Sequence, residues 1–337
     1  MNTNANIFFH APKELTTDAF LVWLLYFLDS EEAYKAQKQM FFDRLILKKE
    51  DSGRAVSGIN LKRQENNVDV ILTFRFEDSN KQETVLFEDK TWSMPHSGQL
   101  ARYKNIYPDC YRYFYYKLAY INSQEEKEVS KERYEIINAS MMSATLKLMV
   151  NLHPLIMMYY EYITVKFEQE INSFHEKIIR KHDYNMLWSA DAQKYLCDTI
   201  VENMSKLSVP YLEIRNGSSH GRPWTQIDIA RKEDGYWEGL FWRVDIRSGK
   251  FYIRLNQYAE PSEDEVAYKM QRLEILRREA NEFIATMPDL HPGKVEDRAT
   301  KESEVVIFFL EENDLDSLLK LLPKITSHMI EVFKNLE

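Results

Sequence analysis

Apolar residues in 14–29 recur at helical spacing, with Phe20, Trp23, Leu24, Phe27 and Leu28 forming one face. Thr16 or Thr17 can serve as N-cap and Asp18 falls in the first turn, which predicts a helix buried on most sides. A charged amphipathic stretch, 31 to about 48, extends the helical part to a polar turn at 51–54. From Val56 the period shortens to two. Strands are expected at 58–63 and 68–76 and, after a polar turn at 77–82, at 84–90, forming an antiparallel meander. Residues 98–105 predict a short helix, and 111–121, YRYFYYKLAYI, a long aromatic strand. The order helix, three strands, helix, strand implies an α/β fold with a mixed sheet covered by helices.

Beyond Glu132 the pattern is helical to about Leu207, broken by a basic stretch at 177–183 that reads as a surface turn or helix end. A second β region follows, with strands expected at 211–215, 224–231, 236–246 and 250–257; the sharpest turn is Arg247-Ser248-Gly249. Long helices are expected at 263–284 and 315–336. The resulting organisation is a core at 1–130, a helical region at 131–207, and a β-meander with helices at 208–337. No internal repeat or low-complexity tract is visible.

At 337 residues and 44% hydrophobic, the chain can bury one large or two modest cores. Cys110 and Cys197 are its only cysteines and have no metal-ligand spacing, so neither a zinc site nor a disulfide framework is indicated. The start has no basic and apolar signal-peptide pattern, and the longest apolar run, 19–28, is too short for a bilayer. The expectation is a cytoplasmic protein without a membrane partner. A net charge of −9 weighs against a broadly basic nucleic-acid surface but leaves room for a local basic rim.

Chemistry concentrates in NNVDVILTF and, after a short turn, TVLFEDK. The strand period of two puts Glu88 and Lys90 on one face and turns Asp89 to the other. A hairpin centred near Ser79 sets Asp69 opposite Glu88 or Lys90. Two carboxylates can hold Mg²⁺, and a lysine beside the metal can orient or deprotonate a water or stabilise charge building on a phosphate. The Asp89 main-chain carbonyl is a further candidate ligand. A solvated Glu-x-Lys pair at a strand end is the bland alternative. Against it, Val85, Leu86 and Phe87 make this strand apolar on both faces, so burying Glu88 and Lys90 requires partners.

Asp69, the triplet Glu88-Asp89-Lys90 and the run Gln99-Leu100-Ala101-Arg102-Tyr103 resemble the PD-(D/E)xK nuclease superfamily, in particular its RecB-like and lambda-exonuclease-like branch with a QxxxY motif. The opening KELTTDAFLVWLL is similar to the first helix of bacterial uncharacterised families of that superfamily, and the likeness covers about residues 12–120. The resemblance implies a restriction-endonuclease-like core, with Asp69 and Glu88 as metal ligands and Lys90 as the catalytic lysine. It places Gln99, Tyr103 and the neighbouring Arg102 against nucleic acid, and Glu14 as an added carboxylate, although Glu14 reads equally as helix-start charge. It further implies Mg²⁺, with Mn²⁺ as a substitute, and DNA as substrate. The chain departs from the pattern in having Val68 before Asp69 instead of proline, and Thr91-Trp92 after the lysine.

Other residues carry less. His96 is a loop histidine near the motif, and Arg102, Lys104 and Arg112 are either a basic rim or solvated charges. Trp224, Trp237, Trp242, Phe241, Phe251 and Tyr252 could stack on bases but fit a strand core better. Ser218, Ser219, His220 and Asp228 compose no hydrolase triad, and 206–222 has no phosphate-loop spacing. The rivals to a nuclease are a non-catalytic protein- or nucleic-acid-binding member of the same fold and a hydrolase of smaller phosphoesters. A homo-oligomer or protein partner through the C-terminal region stays open.

Overall fold

The structure, a computed structural model, describes residues 5–10, 14–91, 93–96, 98–232, 238–259, 265–296 and 300–336. They divide into two compact units, Met1–Asn172 and Ser173–Glu337. The stretch 131–207 is shared between these units.

The first unit begins with a single turn, α1 (Ile7–His10), and the apolar helix α2 (Glu14–Asp29). Helix α3 (Lys35–Phe41) continues as a π-helical turn, Phe42–Ile46, where the expected amphipathic helix was longer and regular. The wider turn lets Phe41, Phe42, Leu45 and Ile46 all enter the core. Strands β1 (Val56–Glu65), β2 (Val68–Phe76) and β3 (Gln82–Lys90) form the expected meander. Helix α4 (Gln99–Ile106) leads to β4 (Arg112–Lys117), and α5 (Ser123–Lys131) to β5 (Glu135–Asn138). Helices α6 (Ala139–Leu146), α7 (Pro154–Ile163) and α8 (Gln169–Phe174) follow.

The sheet order is β1-β2-β3-β4-β5, antiparallel through β3 and parallel from β3 to β5. Helices α4 and α5 are the crossovers that parallel pairing requires. On one face Val70, Leu72, Phe74, Val85 and Phe87 pack with Leu21, Leu24, Leu25 and Leu28 of α2. On the other face Ile71 and Leu86 pack with Tyr103 of α4. Strand β3 is thus covered on both sides, and burial of Val85, Leu86 and Phe87 contributes about 1.5–3 kcal/mol each.

Two expectations are corrected. The aromatic strand stops at Lys117 instead of 121, because its pairing ends where β3 ends, at Lys90 opposite Lys117. Strand β5 lies in a stretch read as helical; four residues are too few to establish a period.

The second unit contains helix α9 (Ala190–Lys206) and strands β6 (Glu213–Ser219), β7 (Arg222–Lys232), β8 (Glu238–Arg247) and β9 (Lys250–Ala259). Helix α10 (Val266–Ile284), strand β10 (Glu302–Phe309) and helix α11 (Leu315–Asn335) complete it. The sheet is antiparallel in the order β10-β9-β8-β7-β6. Ser248 and Gly249, at φ +50° and +79°, make the tight β8–β9 turn that Arg247-Ser248-Gly249 announced. Strand β10 was not anticipated. Trp242, Phe241, Phe251 and Tyr252 are core residues, and the Trp242 indole donates to Thr326 Oγ1 on α11 at 2.8 Å. Trp237, Trp92 and Glu263 lie outside the described residues. No helix among the described residues is long and apolar enough to cross a membrane.

Candidate active site

The β2–β3 pairing runs to Val70 opposite Phe87, and Asp69 and Glu88 are the next residues beyond that pair on the two strands. Asp69 Oδ2 accepts the Asp89 main-chain N–H at 2.8 Å. The N–H and C=O of a strand residue leave on the same edge, so the Asp89 carbonyl leaves β3 on the edge where Asp69 sits. Glu88 Oε1 accepts from Lys90 Nζ and from Gln99 Nε2, both at 2.6 Å. Its other oxygen, Oε2, is buried and receives no donor. An acceptor left bare inside a protein is costly, and either a proton shared with Asp69 or a cation beside it would remove that cost.

The site is strongly acidic for its burial. Glu88 is 1% exposed; burial first, and then the Asp69 carboxylate, push its pKa up to about 8 against the partial opposition of Lys90. Burial also raises Asp69, moderated by the Asp89 N–H, by Lys90 and by a hydrogen bond with Glu88. The two carboxyls therefore lie close enough to share a proton. Burial works against the Lys90 ammonium, but Glu88, Asp69 and Glu14 together outweigh it and hold its pKa above the ordinary lysine value. Lys90 in this arrangement is a charged donor and not a proton acceptor, which narrows the roles its position suggested.

Asp89 turns to the opposite face, as its parity requires, and meets Asp18 of α2. Burial raises both carboxyls: Asp18 to about 7, with the Asp69 charge adding to it and Asp89 lowering it through a hydrogen bond, and Asp89 well above the usual carboxylate range, with the charges of Asp18 and Asp69 adding to it. Asp18 was legible only as first-turn charge. Its better signal is a carboxylate beside Thr17 and Leu21, the residues that α2 buries.

Glu14, half-buried at the start of α2, accepts from Ser93 Oγ at 2.8 Å, and its charge acts on Asp18, Asp69, Asp89 and Lys90. It belongs to the acidic cluster. Gln99 and Tyr103 are placed differently from the role the resemblance implies. Both are buried, at 8% and 1% exposure, and their polar atoms are committed within the protein. Gln99 Nε2 bridges Glu88 and the Tyr103 hydroxyl, which in turn donates to Asn67 O at 2.5 Å, while Gln99 Oε1 accepts the His96 N–H. Asn66 and Asn67, both with positive φ, make the turn from β1 to β2 that delivers Asp69, and Gln64 near the end of β1 also has positive φ. The pair on α4 thus ties Glu88 to the turn before Asp69. Tyr103→Phe is expected to weaken Mn²⁺ binding about 10-fold, the usual loss when a group supporting a ligand is removed; calorimetric titration reads it, and unchanged affinity would deny the role.

Arg102 is exposed, with its guanidinium 5.2 Å from the Tyr103 ring centroid, the one member of that trio facing solvent. His96 is exposed and contributes through its main chain. Lys104 donates to Glu132 O. Arg112 cannot rim the site: it pairs with Glu135 and the Ile46 and Leu47 carbonyls at the start of β4, five residues from the Lys117 end. In the second unit, Asp228 is bound to Arg215, Arg231 and Gln226, apart from the Ser219–His220 contact.

Among the described residues no group of three or more His, Cys, Asp and Glu side chains is arranged to hold a metal ion. The oxygen donors gathered here are the Asp69 carboxylate, the Glu88 carboxylate with its unpartnered Oε2, and the Asp89 carbonyl. Oxygen donors of this kind suit a hard divalent cation such as Mg²⁺. Comparison with protein-family models, curated proteins and solved structures finds no match for this chain.

Proposed function

We propose that this protein is a metal-dependent nuclease that hydrolyses phosphodiester bonds in DNA, and that its first unit is a restriction-endonuclease-like core of the PD-(D/E)xK kind. The observation that carries this reading is that Asp69 at the start of β2 reaches the end of β3, where it accepts the Asp89 N–H next to a Glu88 carboxyl that pairs with Lys90 and keeps a buried Oε2 without a donor. The helix, meander, helix, strand order with β3 parallel to β4 agrees with it. The choice of DNA rests on the resemblance of the motifs.

Asp69, Glu88 and the Asp89 carbonyl would hold Mg²⁺, or Mn²⁺ in its place. When bound, the cation supplies Lewis-acid polarisation of a phosphate oxygen and acidifies a water. The protein does the rest. Gln99 and the Asp89 N–H fix one oxygen of Glu88 and of Asp69, leaving the others to face a ligand. Lys90 offers its ammonium to charge that develops on the scissile phosphate or to orient a water. Glu14 adds negative charge beside the pair.

The test is cleavage of linear, circular and single-stranded DNA with Mg²⁺ or Mn²⁺, with a chelator control, comparing wild type and Lys90→Ala. Cleavage that the chelator stops and that falls about 100-fold in the variant is expected, as for loss of one charge-stabilising donor. No cleavage of any substrate, or equal rates in both proteins, would remove the nuclease reading.

A further inference from the structure

The second unit carries a groove that the nuclease reading does not use. Strand β7 outruns β6: their pairing ends with Glu213 opposite Asp228, and β7 continues past a bulge at Ile229 to Lys232 against β8 alone. Beside that overhang and the last turns of α11 lies a cavity of about 620 Å³. Leu212, Ile229, Ala230, Ile330 and Phe333 make its walls apolar, and Leu212 is 52% exposed. The polar rim consists of Glu213, Arg231, Lys232 and Lys334. Glu213 and Arg231 are paired at 3.0 Å and offset each other. Lys232 Nζ donates to Leu336 O, a neutral carbonyl, and lies 5.9 Å from the Phe333 ring centroid. Lys334 is exposed, and neither lysine has a carboxylate partner among the described residues.

We infer that this groove is a binding site for an acyl-chain anion, a fatty carboxylate of medium length, with its chain on the apolar walls and its head group between Lys232 and Lys334. The inference does not depend on the metal-dependent reading of the first unit. Three observations carry it. The volume lies within the roughly 300–1,000 Å³ of small-molecule pockets. The walls are aliphatic except for Phe333, and no lining residue has a buried polar side-chain atom without a partner, so the body of a ligand meets no polar demand. Such walls fit a flexible chain better than a flat ring, which aromatic faces would grip. Finally, two lysines without carboxylate partners edge an apolar groove in a chain of net charge −9, and an anionic head complements them. Their methylenes can lie along the apolar wall while the ammonium groups stay in water.

The test is calorimetric titration of the full chain with decanoate below its micelle concentration, beside hexanoate and 1-decanol, in wild type, Leu212→Asp, Ala230→Phe and Lys334→Glu. Each methylene that leaves water is worth about fourfold in affinity, so decanoate is expected to bind one per chain and about 100-fold more tightly than hexanoate. Ala230→Phe fills the groove and Leu212→Asp puts a charge on its wall; each should weaken decanoate at least about 10-fold. Lys334→Glu should weaken decanoate about 5- to 10-fold, the scale of reversing one exposed charge, and leave 1-decanol unchanged. Leu212 and Lys334 are exposed, so their variants carry the test even if Ala230→Phe fails to fold. No saturable decanoate binding in wild type overturns the inference, as do several molecules per chain or wild-type affinity in Leu212→Asp. Equal losses of decanoate and 1-decanol in Lys334→Glu overturn the anionic head. A wild-type dimer in sedimentation that Leu212→Asp turns into a monomer assigns the groove to a second copy and overturns the inference as well.

Discussion

Glu88→Gln is expected to unfold at higher denaturant than wild type at pH 8 and to cut DNA at least about 1000-fold more slowly. The gain follows from burial. Glu88 is held with a pKa of about 8 against an ordinary value of 4.5, so the folded protein binds a proton that the unfolded chain has released. Between those two values stability falls as pH rises, because the native state must hold a proton that becomes scarcer, or else ionise in a buried, acidic place. Glutamine has the same shape, still accepts from Gln99, and has no charge to bury. Integrated over the interval, the difference at pH 8 is on the order of a few kcal/mol, reduced because Lys90 loses its nearest counter-charge. Denaturation at pH 5 and pH 8, with and without Mn²⁺, resolves the parts. Wild type should lose stability between the two pH values and recover part of it with Mn²⁺; the variant should lose less, since Asp18 still titrates, and gain little from Mn²⁺. A variant no more stable than wild type at pH 8 would remove the buried carboxylate as the source.

Asp18→Asn is expected to stabilise the protein above pH 7 from the other face of β3. Asp18 has its pKa raised to about 7 from an ordinary 3.8 by burial, then by Asp69, so its contribution to stability is present at low pH and lost as pH rises through about 7. An asparagine amide can donate to Asp89 at any pH, whereas the Asp18 acid can do so only while it holds a proton. The effect is again on the order of a few kcal/mol, and Asp18 is 2% exposed, so solvent does little to screen it. The discriminating measurement is the pH dependence of the unfolding free energy: the variant should lose less stability than wild type between pH 5 and pH 8. A slope identical to wild type would mean that the Asp18–Asp89 pair is already ionised and solvated in the native protein.

Both predictions turn on parity along β3, and parity is a local property. That Glu88 and Lys90 share a face and Asp89 does not could be read from the alternation alone, as could the meander and the helix on either side of it. The period of two and the polar turn at 77–82 suffice, because neighbouring residues in a strand must point oppositely. The helical spacing of Gln99 and Tyr103 was equally legible, but not which way they face. Whether a QxxxY pair touches a ligand or braces a carboxylate depends on what α4 packs against, and Tyr103 packs on Ile71 and Leu86.

What the sequence determined by itself was the set of elements from 14 to 117, the pairing of one carboxylate with a carboxylate-x-lysine, and the absence of cysteine frameworks. These depend on period, turn residues and composition, all of which act over a few positions. Only the tertiary structure decided that Asp18 meets Asp89, that Lys117 stands beside Lys90, and that Ser93 joins Glu14 across 79 positions. It also decided the end of β4 and the existence of β5 and β10, since a strand lasts only as long as its partner does. Ionisation belongs to the same class. A glutamate's charge at pH 7 is set by which groups surround it and how much water they exclude, and no spacing along the chain encodes that.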